Sequence, residues 1–131
     1  MLFPTNPPVT LVPGEHLLLV KDVGMFNSRY TAPEGVKVLA WGPGRLADDG
    51  EKIQLSKPGD PDRRGNPTWV RVDRVVYSDG SHPPELPGGG DPRPAQADGQ
   101  GSSLSRTVPT TYGNDPANWH AAIATPGTVN E

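Results

Sequence analysis

Apolar residues are concentrated in the first part of the chain, where short hydrophobic segments alternate with turn signals. Residues 1–77 hold 21 of the 26 Leu, Ile, Val and Phe residues of the protein. Segments of this length, separated by turns that contain Gly and Pro, are typical of β-sandwiches and barrels. The pattern therefore predicts an all-β fold whose core is built mainly from residues 1–77.

The first half of this region predicts strands and one helical turn. Residues 9–11 alternate between apolar and polar before a turn at Pro13-Gly14, and Leu17–Val20 is a continuous apolar run that suits a strand buried on both faces. Phe26 and Tyr30 are four residues apart, which places them on one side of a helical turn. A further strand is expected within Val36–Trp41.

The second half predicts a tight hairpin and the clearest strand of the chain. An Asp-Gly pair supplies the positive φ angles of a tight antiparallel turn, so we expect such a turn at Asp49-Gly50. A polar loop over Lys57–Pro67 then leads into the strand Trp69–Tyr77. By simple alternation its valines fall on opposite faces, and a β-bulge near Asp73-Arg74 would bring them to one face.

Residues 81–101 differ in composition from the rest of the chain. They are rich in Pro and Gly, with three consecutive glycines from Gly88, and they predict a long mobile surface loop. Order is expected again over 102–130, where Asp115-Pro116 begins a short helical turn and Trp119 points inward. We therefore expect one domain over 1–131, ordered at 9–77 and 102–130.

Composition excludes several classes of protein. The chain has 131 residues, a net charge of -3 without a basic run, and no cysteine. We therefore expect no nucleic-acid partner, no disulfide framework and no thiolate nucleophile. The longest aliphatic run, Leu17–Val20, is far shorter than the ~20 residues that span a bilayer, so membrane insertion is not expected.

Catalytic residues are not predicted, and no cofactor other than calcium is considered. A hydrolase would need His82 or His120 to meet a serine, but Gly101–Ser105 lacks the second glycine of a strained nucleophile turn. Calcium binds several oxygens on tight turns, and two acidic turns of the chain are candidates. The candidate calcium ligands are Asp48, Asp49, Glu51, Asp60 and Asp62. The second turn lacks the acidic residue at the twelfth position of an EF-hand loop, so an ordinary solvated turn is the preferred interpretation of both.

Several segments, taken in order, resemble the lamin tail domain, an immunoglobulin-like β-sandwich of nuclear lamins and of large bacterial surface proteins. The segments that carry the resemblance are Phe3-Pro4, Leu11–Val20, Leu46, Asp49–Glu51, Ile53–Leu55, Val72–Tyr77, Gly101–Arg106, Asn118-Trp119 and Thr125–Asn130. The family begins with an additional hairpin that has no counterpart before Phe3-Pro4, and its loop at 81–101 is usually shorter. The resemblance therefore implies a sandwich that is incomplete at its N-terminus and contains a long Pro/Gly-rich loop.

The resemblance implies a non-catalytic interaction or spacer module of a larger secreted or cell-surface bacterial protein. Its partners would be another protein or domains of the parent chain, and exposed strand edges would favour self-association. The alternative is a calcium-stabilised accessory domain of a secreted enzyme or adhesin. Calcium-dependent stability would distinguish the two hypotheses.

Overall fold

The computed structural model describes residues 1–80 and 91–129, and strands predominate in it. The described residues form three two-stranded sheets and fall into two compact units. The first unit comprises Met1–Arg45 and Ala124–Val129, and the second comprises Leu46–Ile123. The prediction of a β-rich fold is confirmed.

The first unit contains a parallel pair of strands joined by a helix. Strand β1 (Leu17–Val20) pairs with β2 (Lys37–Ala40), and helix α1 (Val23–Arg29) lies between them in sequence. Two parallel neighbours require such a crossover, because a tight turn can connect only antiparallel strands. The side chain of Asp22 caps α1 by accepting a hydrogen bond of 2.8 Å from the amide of Met25.

Three expectations for this unit are confirmed and two are wrong. Strands at β1 and β2 are present, as is the helical turn, where the rings of Phe26 and Tyr30 stack at 5.4 Å. Residues 9–11 form no strand, and Lys37 instead donates a hydrogen bond to the carbonyl of Thr10. Strand β1 is half-buried rather than buried on both faces, because a two-stranded sheet cannot cover it fully.

The second unit is built on a long antiparallel hairpin. Strands β3 (Gly50–Pro58) and β4 (Trp69–Ser78) pair over their whole length and are joined by a polar loop over residues 59–68. The prediction of a tight turn at Asp49-Gly50 is wrong, because Gly50 already pairs with Ser78 at the start of β3. A Cβ atom at Gly50 would lie 2.5 Å from the carbonyl oxygen of Tyr77, so this close approach requires glycine.

A β-bulge interrupts β4 one residue before the predicted position. Leu55 pairs with Asp73 and Ser56 with Arg71, which leaves Val72 without a partner. The register places Val70 on the same face as Val75, as predicted, but Val72 does not join them because it is itself the bulged residue. Both Val70 and Val72 nevertheless stay exposed, because nothing in the described residues covers this end of the hairpin.

A second, shorter hairpin and two 3-10 helices complete this unit. Strand β5 (Ser103–Arg106) pairs with β6 (Trp119–Ala122), and the 3-10 helix η1 (Ala95–Ala97) contacts both strands. The predicted helical turn is present as η2 (Pro116–Asn118), capped by the side chain of Asp115. Of the loop predicted over 81–101, residues 81–90 lie outside the described residues.

Candidate functional site

An apolar cleft of about 310 Å³ lies beside the inner face of the β3–β4 hairpin. The register places Ile53 opposite Val75, and Tyr77 follows on the same face. Leu104 of β5 and Trp119 of β6 complete the apolar lining, whereas Arg93 and Asp98 around η1 add charged groups. The cleft has the lining of a binding site, a mostly apolar surface with few polar groups.

Trp119 is held in the cleft wall by two contacts. Its Nε1 donates a hydrogen bond of 2.8 Å to the carbonyl of Gly113, and the guanidinium of Arg106 lies 5.1 Å from the centre of the indole. Arg106 in turn bonds the carboxylate of Asp73 on β4 at 2.5 Å. Trp119 therefore points inward as expected: its side chain is half-buried and is linked to the β3–β4 hairpin through Arg106 and Asp73.

The charged groups around η1 lie in an environment that disfavours their charges. Burial lowers the pKa of Arg93, although the carboxylates of Asp91 and Asp115 oppose that shift. Burial also raises the pKa of Asp98, with the carboxylates of Asp91 and Asp79 acting in the same direction. Burial between apolar surfaces disfavours the charged form of both groups.

Tyr77 borders both the cleft and a neighbouring cavity of about 550 Å³. Its hydroxyl donates a hydrogen bond of 2.6 Å to the carbonyl of Ala47. Burial raises the pKa of Tyr77, and the carboxylates of Glu51, Asp48 and Asp49 raise it further. The phenol is therefore held in its neutral form as a hydrogen-bond donor to the backbone.

The candidate calcium ligands do not form a metal centre in the part of the chain that the structure describes. No group of three or more His, Cys, Asp or Glu side chains is close enough there to hold an ion. In the loop over 59–68, the carboxylate of Asp62 accepts hydrogen bonds from the amides of Arg64 and Asn66 and from the Asn66 side chain. These bonds lower the pKa of Asp62 and organise the loop itself.

The described residues that were considered for hydrolysis lie in or beside the β5–β6 hairpin. Ser105 lies opposite His120 in the register but is only 4% exposed, and its hydroxyl lies 3.1 Å from that of Ser103. His120 Nδ1 lies 3.2 Å from the hydroxyl of Thr107. His82 lies outside the described residues. Because a nucleophile must be reached by substrate, this arrangement gives Ser105 no catalytic geometry.

Sequence reasoning missed the charged side of the cleft. Arg93 and Asp98 lie in the segment interpreted as a surface loop, and no motif distinguishes them from solvated residues. The ion pair between Asp73 and Arg106 joins residues 33 positions apart, so no local pattern predicts it.

Comparison with known proteins identifies no relative: no family model, curated protein or solved structure matches the chain. Among the described residues, no helix has the length and apolar character needed to cross a bilayer.

Proposed function

We propose that this chain is a non-catalytic interaction or spacer module of the lamin-tail, immunoglobulin-like type, carried by a larger secreted or cell-surface bacterial protein. The observation that supports the proposal is an exposed group of apolar side chains at the loop end of the β3–β4 hairpin. We call this group the apolar tip. It comprises Leu55, Trp69, Val70 and Val72, which are 46–56% exposed.

Burial in the described residues explains why such a module would need a partner. No hydrophobic residue there is buried, and Ser105, at 4% exposure, is the one buried polar residue. Two-stranded sheets are marginally stable in water unless another layer covers them. Leu55 and Val70 lie on the cleft side of the hairpin and Trp69 on the outer side, so a partner that wraps the apolar tip would remove apolar area from water on both faces and so stabilise the hairpin.

Sedimentation velocity over a wide range of concentrations tests this proposal on the chain alone. We expect self-association that the double variant Trp69→Thr/Val72→Thr weakens. Met25→Gln provides the control, because Met25 is an exposed apolar residue on α1, outside the apolar tip. A chain that stays monomeric at every concentration would contradict the proposal, and so would equal self-association of the double variant and of Met25→Gln.

A further inference from the structure

The outer face of the β3–β4 hairpin carries positive charge only. Residues that pair directly in an antiparallel sheet share a face, and the face alternates along each strand. Ile53 and Val75 face the cleft, so the pairs between them and their same-face neighbours lie on the opposite face. On that face Lys52 pairs with Val76, Arg74 with Gln54, and Arg71 with Ser56. We call Lys52, Arg71 and Arg74 the basic face.

The acidic residues of the two strands do not neutralise the basic face. Glu51 pairs with Tyr77 and Asp73 with Leu55, so both acids lie on the cleft side. Asp73 is also engaged by Arg106. In the part of the chain that the structure describes, no ion pair includes a residue of the basic face. Neighbouring like charges on a sheet are unfavourable, and an anionic partner would relieve that repulsion.

The edge of β3 next to the basic face is open. Among the described strands, β3 pairs with β4 alone. The far edge of β4 is partly occupied, since the amide of Val76 donates to the side chain of Asn114 at 2.8 Å. An open strand edge offers main-chain donors and acceptors to an extended peptide, which can add to the sheet as a further strand.

From this juxtaposition we infer that the open edge of β3 binds an extended acidic peptide whose alternate Asp or Glu side chains lie over the basic face. Side chains on one face of a strand repeat every ~6.8 Å, which matches the spacing of same-face residues on the neighbouring strands. The inference rests on the proposed interaction function and specifies the chemistry of the partner.

A peptide fits the charge distribution better than a nucleic acid does. The chain has a net charge of -3, so it lacks the broad positive surface that attracts a polyanion. Three cations on one face provide only local attraction. A peptide that pairs through its main chain at the β3 edge and carries a few carboxylates matches this surface.

Fluorescence anisotropy with a labelled peptide of alternating Glu and Thr tests the inference on the full chain. We expect binding that weakens as salt rises and that disappears when every Glu of the peptide is replaced by Gln. Lys52→Gln should weaken binding about threefold, as expected for an exposed ion pair, and Arg71→Gln/Arg74→Gln about tenfold, since Arg74 is half-buried and its charge is less screened by water. Lys57→Gln provides the matched control, because Lys57 lies on the same strand but pairs with Val70 on the opposite face.

The inference would be overturned by failure of the acidic peptide to bind, by equal losses in Lys52→Gln and Lys57→Gln, or by tighter binding of a single-stranded oligonucleotide than of the peptide. A peptide with N-methylated amides along one edge should bind at least tenfold more weakly, and unchanged binding would contradict strand addition. If the peptide fails to bind while the double variant Trp69→Thr/Val72→Thr still weakens self-association, this inference fails and the proposed function stands.

Discussion

At the scale of single residues, Gly113 organises the junction between the two hairpins of the second unit. It is buried, and its carbonyl accepts the hydrogen bond of the Trp119 indole. A Cβ atom at this position would lie 2.5 Å from Asp73 Oδ1 and 2.6 Å from the carbonyl oxygen of Arg74, and it would overlap Arg106. Only glycine therefore fits beneath the ion pair of Asp73 and Arg106.

Gly113→Ala should lower the free energy of unfolding by about 3 kcal/mol, since one added methyl group displaces both partners of the ion pair. Urea unfolding followed by tryptophan fluorescence measures the loss. Gly65→Ala is the control: Gly65 has a φ of 80° and open space around it, so only backbone strain of about 1 kcal/mol is expected. Equal losses in the two variants would show that crowding at Gly113 is absent.

The ion pair between Asp73 and Arg106 should contribute a coupling free energy of about 1 kcal/mol, because its side chains are partly exposed, at 35% and 17% respectively. A double-mutant cycle with Asp73→Asn and Arg106→Gln isolates this coupling from the other contacts of each residue. Additive effects of the two substitutions would mean that the pair does not stabilise the junction.

At the scale of elements, the β3–β4 hairpin shows how far local pattern reaches. The strand over Trp69–Tyr77 and the polar loop before it were predictable, because apolar runs and turn residues report local conformation. The partner of that strand was not identified, because pairing joins residues distant in sequence. The predicted Asp49-Gly50 turn failed for this reason: Gly50 is used for a close approach to β4 instead.

The loop of this hairpin should loosen in acid. Hydrogen bonds from Asn66 and Arg64 lower the pKa of Asp62 below its ordinary value of 3.8. A carboxyl whose pKa is lowered by folding stabilises the loop above that ordinary value, and the stabilisation is lost as pH falls through the folded pKa. Amide hydrogen exchange at Arg64 and Asn66 should therefore lose protection below about pH 4.

In Asp62→Asn the same amides should show weaker protection at neutral pH, with no further loss in acid. Protection that is independent of pH in the unmodified chain would contradict this role of Asp62.

At the scale of the whole molecule, the supply of apolar residues limits the core. Gly and Pro number 16 and 17, and the described strands they separate form only two-stranded sheets. The hydrophobic side chains of the described residues consequently remain at least partly exposed. In the proposed interaction function, a partner would supply the burial that these small sheets lack.

Calcium should leave the thermal unfolding of the chain unchanged. An ion at 100 times its dissociation constant would add about 2.7 kcal/mol and raise the Tm, but the described carboxylates form no group that could hold one. Calorimetry with calcium and with a chelator measures the difference, and magnesium controls for general salt effects. A rise in Tm with calcium alone would favour the calcium-stabilised alternative.

The sequence by itself determined the strand-rich class, the helical turn of α1, the capped turn before Trp119 and the bulge in β4. Each depends on residues close together along the chain, whose dihedral preferences and hydrogen bonds are local. Only the tertiary structure decided that β1 and β2 run parallel, that Arg106 meets Asp73 beside Gly113, and that Arg93 and Asp98 border an apolar cleft. These features depend on contacts between segments that are distant in sequence, and composition and hydrophobic periodicity do not specify such contacts.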